Sequence, residues 1–113
     1  MRYALLVCVD ESRNLTDADA ERQSGEFTAF QADLEARGVL VARERLRPTA
    51  VATTVRVRGE GLVVADGPFA ETKEQIAGFY IIDCADLDEA IEIASSNPGA
   101  RYGTIEVRPV WEI

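Results

Sequence analysis

Tyr3-Ala4-Leu5-Leu6-Val7-Cys8-Val9 sets the layering of the whole domain. As a strand it puts Tyr3, Leu5, Val7 and Val9 on one face and Ala4, Leu6 and Cys8 on the other, since successive strand side chains point to opposite sides. Both faces are apolar, the pattern of a strand covered from two sides. Gly78 to Cys84 repeats it, with Phe79 and Ile81 on one face and Tyr80 and Ile82 on the other. These two segments are therefore expected at the centre of a sheet.

Outward from the first strand, Thr16 followed by Asp19 resembles a capping box, and Phe27, Phe30 and Leu34 follow at helical spacing until Gly38 stops the helix. Gly25 weakens the first half of that helix by about 1 kcal/mol relative to Ala. Val39 to Leu46 reads as a second strand, interrupted by Pro48. Thr53 to Arg58 alternates cleanly, Val55 and Val57 against Thr54, Arg56 and Arg58, which predicts a half-buried strand. Gly59-Glu60-Gly61 turns it into a hairpin with Leu62 to Ala65.

A polar loop, Asp66 to Glu74, leads to the second two-faced strand. Asp86 with Glu89 starts a helix that carries Leu87, Ala90, Ile91 and Ala94 on one stripe and ends near Asn97-Pro98-Gly99. Thr104 to Trp111 is the last strand. The order β-α-β, hairpin, β-α-β predicts a single ferredoxin-like α+β domain over residues 1–113, with both helices on one face of an antiparallel sheet. Two helices cover only one sheet face, so the two-faced strands predict a homodimer that brings two sheets face to face.

Composition narrows the chemistry. Twelve basic and 20 acidic side chains give a net charge of −8, which disfavours nucleic acid and anionic membranes as partners. There is no histidine, which excludes a His general base, a Ser-His or Cys-His nucleophile and a His-ligated metal. Cys8 and Cys84 lack CxxC spacing and lie in apolar stretches, as buried reduced thiols do. The apolar run Ala4 to Val9 is far shorter than the ~20 residues of a membrane helix, so a cytoplasmic protein without cofactors is the expectation.

Asp66-Gly67-Pro68-Phe69-Ala70-Glu71-Thr72-Lys73-Glu74, Gly78-Phe79-Tyr80, Ala85-Asp86-Leu87-Asp88-Glu89-Ala90 and Ile105-Glu106-Val107-Arg108-Pro109-Val110 together resemble the YCII-related superfamily, specifically its DGPF branch. The resemblance covers nearly the whole chain. It implies a dimeric ferredoxin-like α+β barrel, with members that occur beside or fused to extracytoplasmic-function sigma factors. Some broader relatives are proposed to use a His-Asp pair whose His comes from the first helix; here that stretch, Glu26 to Leu34, holds Phe27 and Phe30 instead.

Candidate residues gather around the signature loop and the last strand. Asp66 reads either as an Asx-turn residue that accepts from the Phe69 N–H or as one of a carboxylate pair with Glu71 for proton transfer. Lys73, the only lysine, is flanked by Glu71 and Glu74, which favour its charged form and an ion pair that organises the loop. Phe69 reads as an apolar anchor of that loop. Glu106 and Arg108 share a strand face and, if buried at a dimer interface, must be paired with each other's dimer mates or with Arg101, Tyr80 or Asp83.

Three functions are compatible with these groups. The first is a dimeric module with a small ligand bound near the loop by Asp66, Phe69, Lys73, Tyr80, Glu106 and Arg108. The second is an acid-base enzyme without His or metal that works through Asp66 and Glu71. The third is a regulatory partner of a sigma-factor-type transcription protein, contacted through Arg43, Arg45, Arg47, Arg56 and Arg58 or through the acidic helix Asp86 to Ser96.

Overall fold

The computed structural model describes residues 1–112. Its elements are β1 (Arg2–Val9), α1 (Asp17–Arg37), β2 (Leu40–Arg45), a single 3-10 turn (Thr49–Val51), β3 (Thr53–Arg58), β4 (Gly61–Asp66), β5 (Gln75–Asp83), α2 (Leu87–Ser96), α3 (Gly99–Tyr102) and β6 (Thr104–Pro109). Four strands form one sheet in the order β2-β5-β1-β6, with neighbours antiparallel, and β3 and β4 form a separate two-stranded sheet. This is the ferredoxin-like α+β arrangement that the order of elements predicted, with the hairpin inserted between β2 and β5. No helix among the described residues is long and apolar enough to cross a membrane.

Local chemistry accounts for the helix ends. The Thr16 hydroxyl accepts from the Asp19 N–H at 3.0 Å and the Asp19 carboxylate accepts from the Thr16 N–H, a complete capping box. Gly38 closes α1 in the left-handed conformation at φ 72°, which costs least for a residue without Cβ. Despite Gly25, α1 runs unbroken from 17 to 37. At α2 the Asp86 carboxylate accepts from the Glu89 N–H at 2.9 Å.

The core lies between the sheet and the helices. Tyr3, Leu5 and Val7 of β1 and Tyr80 and Ile82 of β5 pack against Phe30 and Leu34 of α1 and Ala90, Ile93 and Ala94 of α2, all buried. Phe30 and Tyr80 meet edge to face, their ring centres 5.2 Å apart. Just before β6, Gly103 passes so close to β1 that a Cβ there would stand 2.1 Å from the Cys8 carbonyl oxygen.

Register identifies what lies on the opposite sheet face. Leu6 stands opposite both Phe79 and Glu106, Phe79 opposite Glu44, and Ala4 opposite both Ile81 and Arg108. Directly opposed residues share a face. Ala4, Leu6, Cys8, Phe79 and Ile81 therefore form an apolar patch on the side without helices, where no element of the described chain covers it. A bulge between Val7 and Cys8 pairs Cys8 with Ile76 and leaves Ala77 as the extra residue.

The hairpin departs from expectation. Its alternation is as read, but its apolar face is exposed: Val55 61%, Val57 65%, Leu62 68% and Val64 58%. The radius of gyration, 16.0 Å, exceeds the roughly 13 Å of a compact 113-residue domain. The molecule measures 48 × 44 × 19 Å, its short dimension that of one sheet and one helix layer at about 10 Å each. The hairpin thus extends sideways as an arm and does not fold back over the sheet.

Candidate functional site

Antiparallel pairing brings two loops to one end of the sheet. Val9, the last residue of β1, faces Gln75, the first of β5, so the loop after β1 and the signature loop before β5 must meet. Between them lies an open cleft of about 450 Å³, lined by Asp10, Glu11, Ser12, Thr49, Thr72, Lys73 and Gln75.

Its walls are held by short polar contacts. The Asp10 carboxylate accepts from the Ser12 N–H at 2.9 Å and the Ser12 hydroxyl at 2.6 Å. These bonds hold its pKa below the usual carboxylate range, with smaller contributions from the charges of Lys73 and Arg13. Glu11 crosses to the 3-10 turn, where it accepts from the Thr49 N–H and hydroxyl, each at 3.1 Å to Oε2. On the loop side the Thr72 hydroxyl donates to the Glu74 carbonyl at 2.6 Å, and the Gln75 amide donates to the Ala70 and Thr72 carbonyls at 3.1 Å each. The arrangement presents an ammonium, two anchored carboxylates and hydroxyls around one space.

The remaining sequence candidates are dispersed. Asp66 ends β4 and, with Phe69, Thr54, Arg56, Val63, Ala65 and Pro68, borders a smaller hollow of about 200 Å³ on the arm. The expected Asx turn is absent among the described residues. Instead the Gly67 N–H donates to the Ala52 carbonyl at 2.7 Å, and the Thr54 hydroxyl donates to the Gly67 carbonyl at 2.8 Å. Phe69 is 73% exposed and is not an apolar anchor; the Arg56 guanidinium lies over its ring, 4.7 Å from the centre. Glu71 is exposed and borders neither space.

Tyr80 is removed from the other candidates by the sheet itself. It points into the helix-side core, whereas Glu106 and Arg108 stand on the open face, where they pair with each other at 2.5 Å. Arg101 is not their partner; it pairs with Glu26 on α1. Arg43 lies opposite Tyr80, Arg47 falls beyond the end of β2, and Arg56 and Arg58 stand on the separate hairpin, so the five arginines do not form one continuous face.

Sequence reasoning missed Asp10, Glu11, Ser12 and Thr49. The signal for the first three was present: Asp10 and Glu11 directly follow a central strand, at the sheet end to which an antiparallel neighbour must bring the signature loop.

The fold and these loops define a small ferredoxin-like α+β domain with a polar cleft at one sheet end. The YCII-related domain family matches residues 1–113, and the chain belongs to that family. It is also similar to an uncharacterised protein of Rhizobium meliloti (strain 1021), 45% identical over 116 residues that cover 97% of this chain and 92% of the relative.

Proposed function

We propose that this protein is a homodimeric small-ligand-binding scaffold, with the ligand seated in the cleft between the loop after β1 and the signature loop. The observation that carries this reading is the placement of Lys73 beside Asp10 and Glu11. The cleft, about 450 Å³, falls in the size range of small-molecule sites, roughly 300 to 1,000 Å³. Its wall is more polar than that of a drug-binding pocket, which fits a small polar molecule. Lys73 would take an anionic group as a point charge, and the carboxylate of Asp10 an amine or hydroxyl. The dimer half of the reading rests on the uncovered apolar patch of Ala4, Leu6, Cys8, Phe79 and Ile81.

The test is a thermal-shift screen of small polar compounds on the wild type, Lys73→Ala and Arg108→Ala. Compounds that raise the wild-type melting temperature are expected to lose their effect in Lys73→Ala and keep it in Arg108→Ala, because Arg108 stands on the open sheet face. Hits that act equally on Lys73→Ala overturn this placement of the ligand, and a screen without hits overturns the binding reading.

A further inference from the structure

The arm carries an apolar face that the single chain leaves in water. Val55 lies opposite Val64 and Val57 opposite Leu62, so these four side chains form one contiguous stripe, each more than half exposed. Strict alternation of this kind normally marks a strand with one face buried. A two-stranded hairpin on its own is marginal in water, and among the described residues this one has no neighbouring strand on either edge. Sequence and surroundings therefore disagree unless something else packs on the arm.

From this disagreement we infer that the arm's stripe packs on a second copy of this chain and forms part of the same interface as the open sheet face. The inference rests on the dimer reading above and specifies what that dimer uses. Three observations point to a second copy as occupant. The 19 Å thickness shows that the arm extends sideways, so it does not cover its own sheet. Each molecule presents one uncovered apolar stripe and one uncovered apolar patch, which a two-fold axis satisfies simultaneously in both copies. Size agrees as well. The four-strand face has a flat outline of about 400 Å², against roughly 800 Å² per partner in a standard stable interface, so a second apolar surface brings it closer to sufficiency.

Charge adds a fourth. Residues 40–58 carry Arg43, Arg45, Arg47, Arg56 and Arg58 against the single acid Glu44, a local +4 in a chain of −8. The open face is bordered by Glu44 and by Glu106, and Glu74 lies near enough to Cys8 to act on its thiol. Arg56 and Arg58 alternate with Val55 and Val57 and stand on the arm's other face, so they do not enter the contact; the local excess of positive charge acts at longer range and offsets part of the repulsion between two acidic molecules.

Light scattering at micromolar concentration tests this on the wild type, Val57→Asp and Leu62→Asp, with circular dichroism to check folding. The expected result is a wild-type dimer and two folded variants at half its mass. A second measurement uses Val57→Cys with a flexible bismaleimide and a reaction time long enough for the slow Cys8 thiol: a dimer band stronger than that of the wild type, where only the native thiols can be joined, is expected on a denaturing gel, and it should vanish when Cys8→Ser is added, since Cys8 of the partner subunit lies on the open face. A wild-type monomer overturns the dimer reading and this inference with it. A wild-type dimer whose Val57→Asp and Leu62→Asp variants keep the dimer mass overturns the arm's role alone, as does a cross-link that persists without Cys8.

Discussion

Tyr80 and Glu106 are separated by a single strand and face opposite ways. Tyr80 is paired with Leu5, whose other neighbour is Val107, while Glu106 is paired with Leu6, one position along. That one-residue offset sends the tyrosine ring into the helix-side core and the carboxylate to the uncovered face. A pocket built from both is therefore ruled out by register.

Truncation of Tyr80 should act on stability. Tyr80→Ala removes a buried ring and its edge-to-face contact with Phe30, at an expected cost of about 3 to 5 kcal/mol. Tyr80→Phe should fall within about 1 kcal/mol of wild type, as no hydrogen bond to its hydroxyl occurs among the described residues. Urea unfolding at neutral pH measures both.

Two glycines should respond in opposite directions to alanine. At Gly103 a Cβ meets the Cys8 backbone carbonyl at 2.1 Å, so β1 or α3 must move and the variant is expected to be severely destabilised. At Gly25, exposed in mid-helix with nothing within 4 Å of a built Cβ, alanine should stabilise by up to about 1 kcal/mol. Thermal unfolding of the pair distinguishes a packing glycine from one that only weakens its helix.

The capping box of α1 predicts a defined response to acid. Thr16→Ala should cost about 1 kcal/mol at neutral pH. The bonds from Thr16, and then the one with Arg22, hold the Asp19 carboxylate below its ordinary pKa. A depressed value means that its contribution is complete above the unfolded-state pKa and is lost as pH falls through the folded one. The stability difference between wild type and Asp19→Asn should therefore be constant near neutrality and shrink below about pH 4. A difference that stays constant down to pH 2 would show that the charge of Asp19 contributes nothing.

Cys8 and Cys84 should both react slowly with alkylating agents, for partly different reasons. Burial raises both thiols; at Cys8 the charges of Glu106 and Glu74 raise the pKa further, and at Cys84 that of Glu89 does so. Glu106→Gln is expected to speed alkylation at Cys8 and leave Cys84 unchanged, as read by mass spectrometry of timed samples at fixed pH.

Much of the fold was legible because local rules and tertiary packing agree. Thr16 with Asp19, Gly38, and the apolar spacing of Phe30 and Leu34 each point to the same helix, and the two-faced strands do occupy the sheet centre. The site was less legible. In β5 both faces are apolar, so periodicity could not say whether Phe79 or Tyr80 meets the helices; only register with β1 decides that. Alternation at Val55 and Val57 encodes a need for burial but not which chain supplies it. Asp66 and Glu71 stand together in sequence, yet the cleft is made by Lys73 with Asp10 and Glu11, whose proximity arises from strand pairing across 60 residues.

The bulge opposite Val7 and Cys8 sets the handedness of everything upstream of it in β5. Beyond it Gly78, Tyr80 and Ile82 follow the helix side, and before it Ile76 joins Cys8 on the other side. Counting by twos through Ala77 would give the opposite answer. One supernumerary residue thus acts as a parity switch, letting the core strand and the signature loop keep independent orientations. Deleting Ala77 would leave Ile76 opposite Cys8 and every residue on its present side, and would remove only the local bend and extra twist with which the strand enters from the loop that carries Lys73.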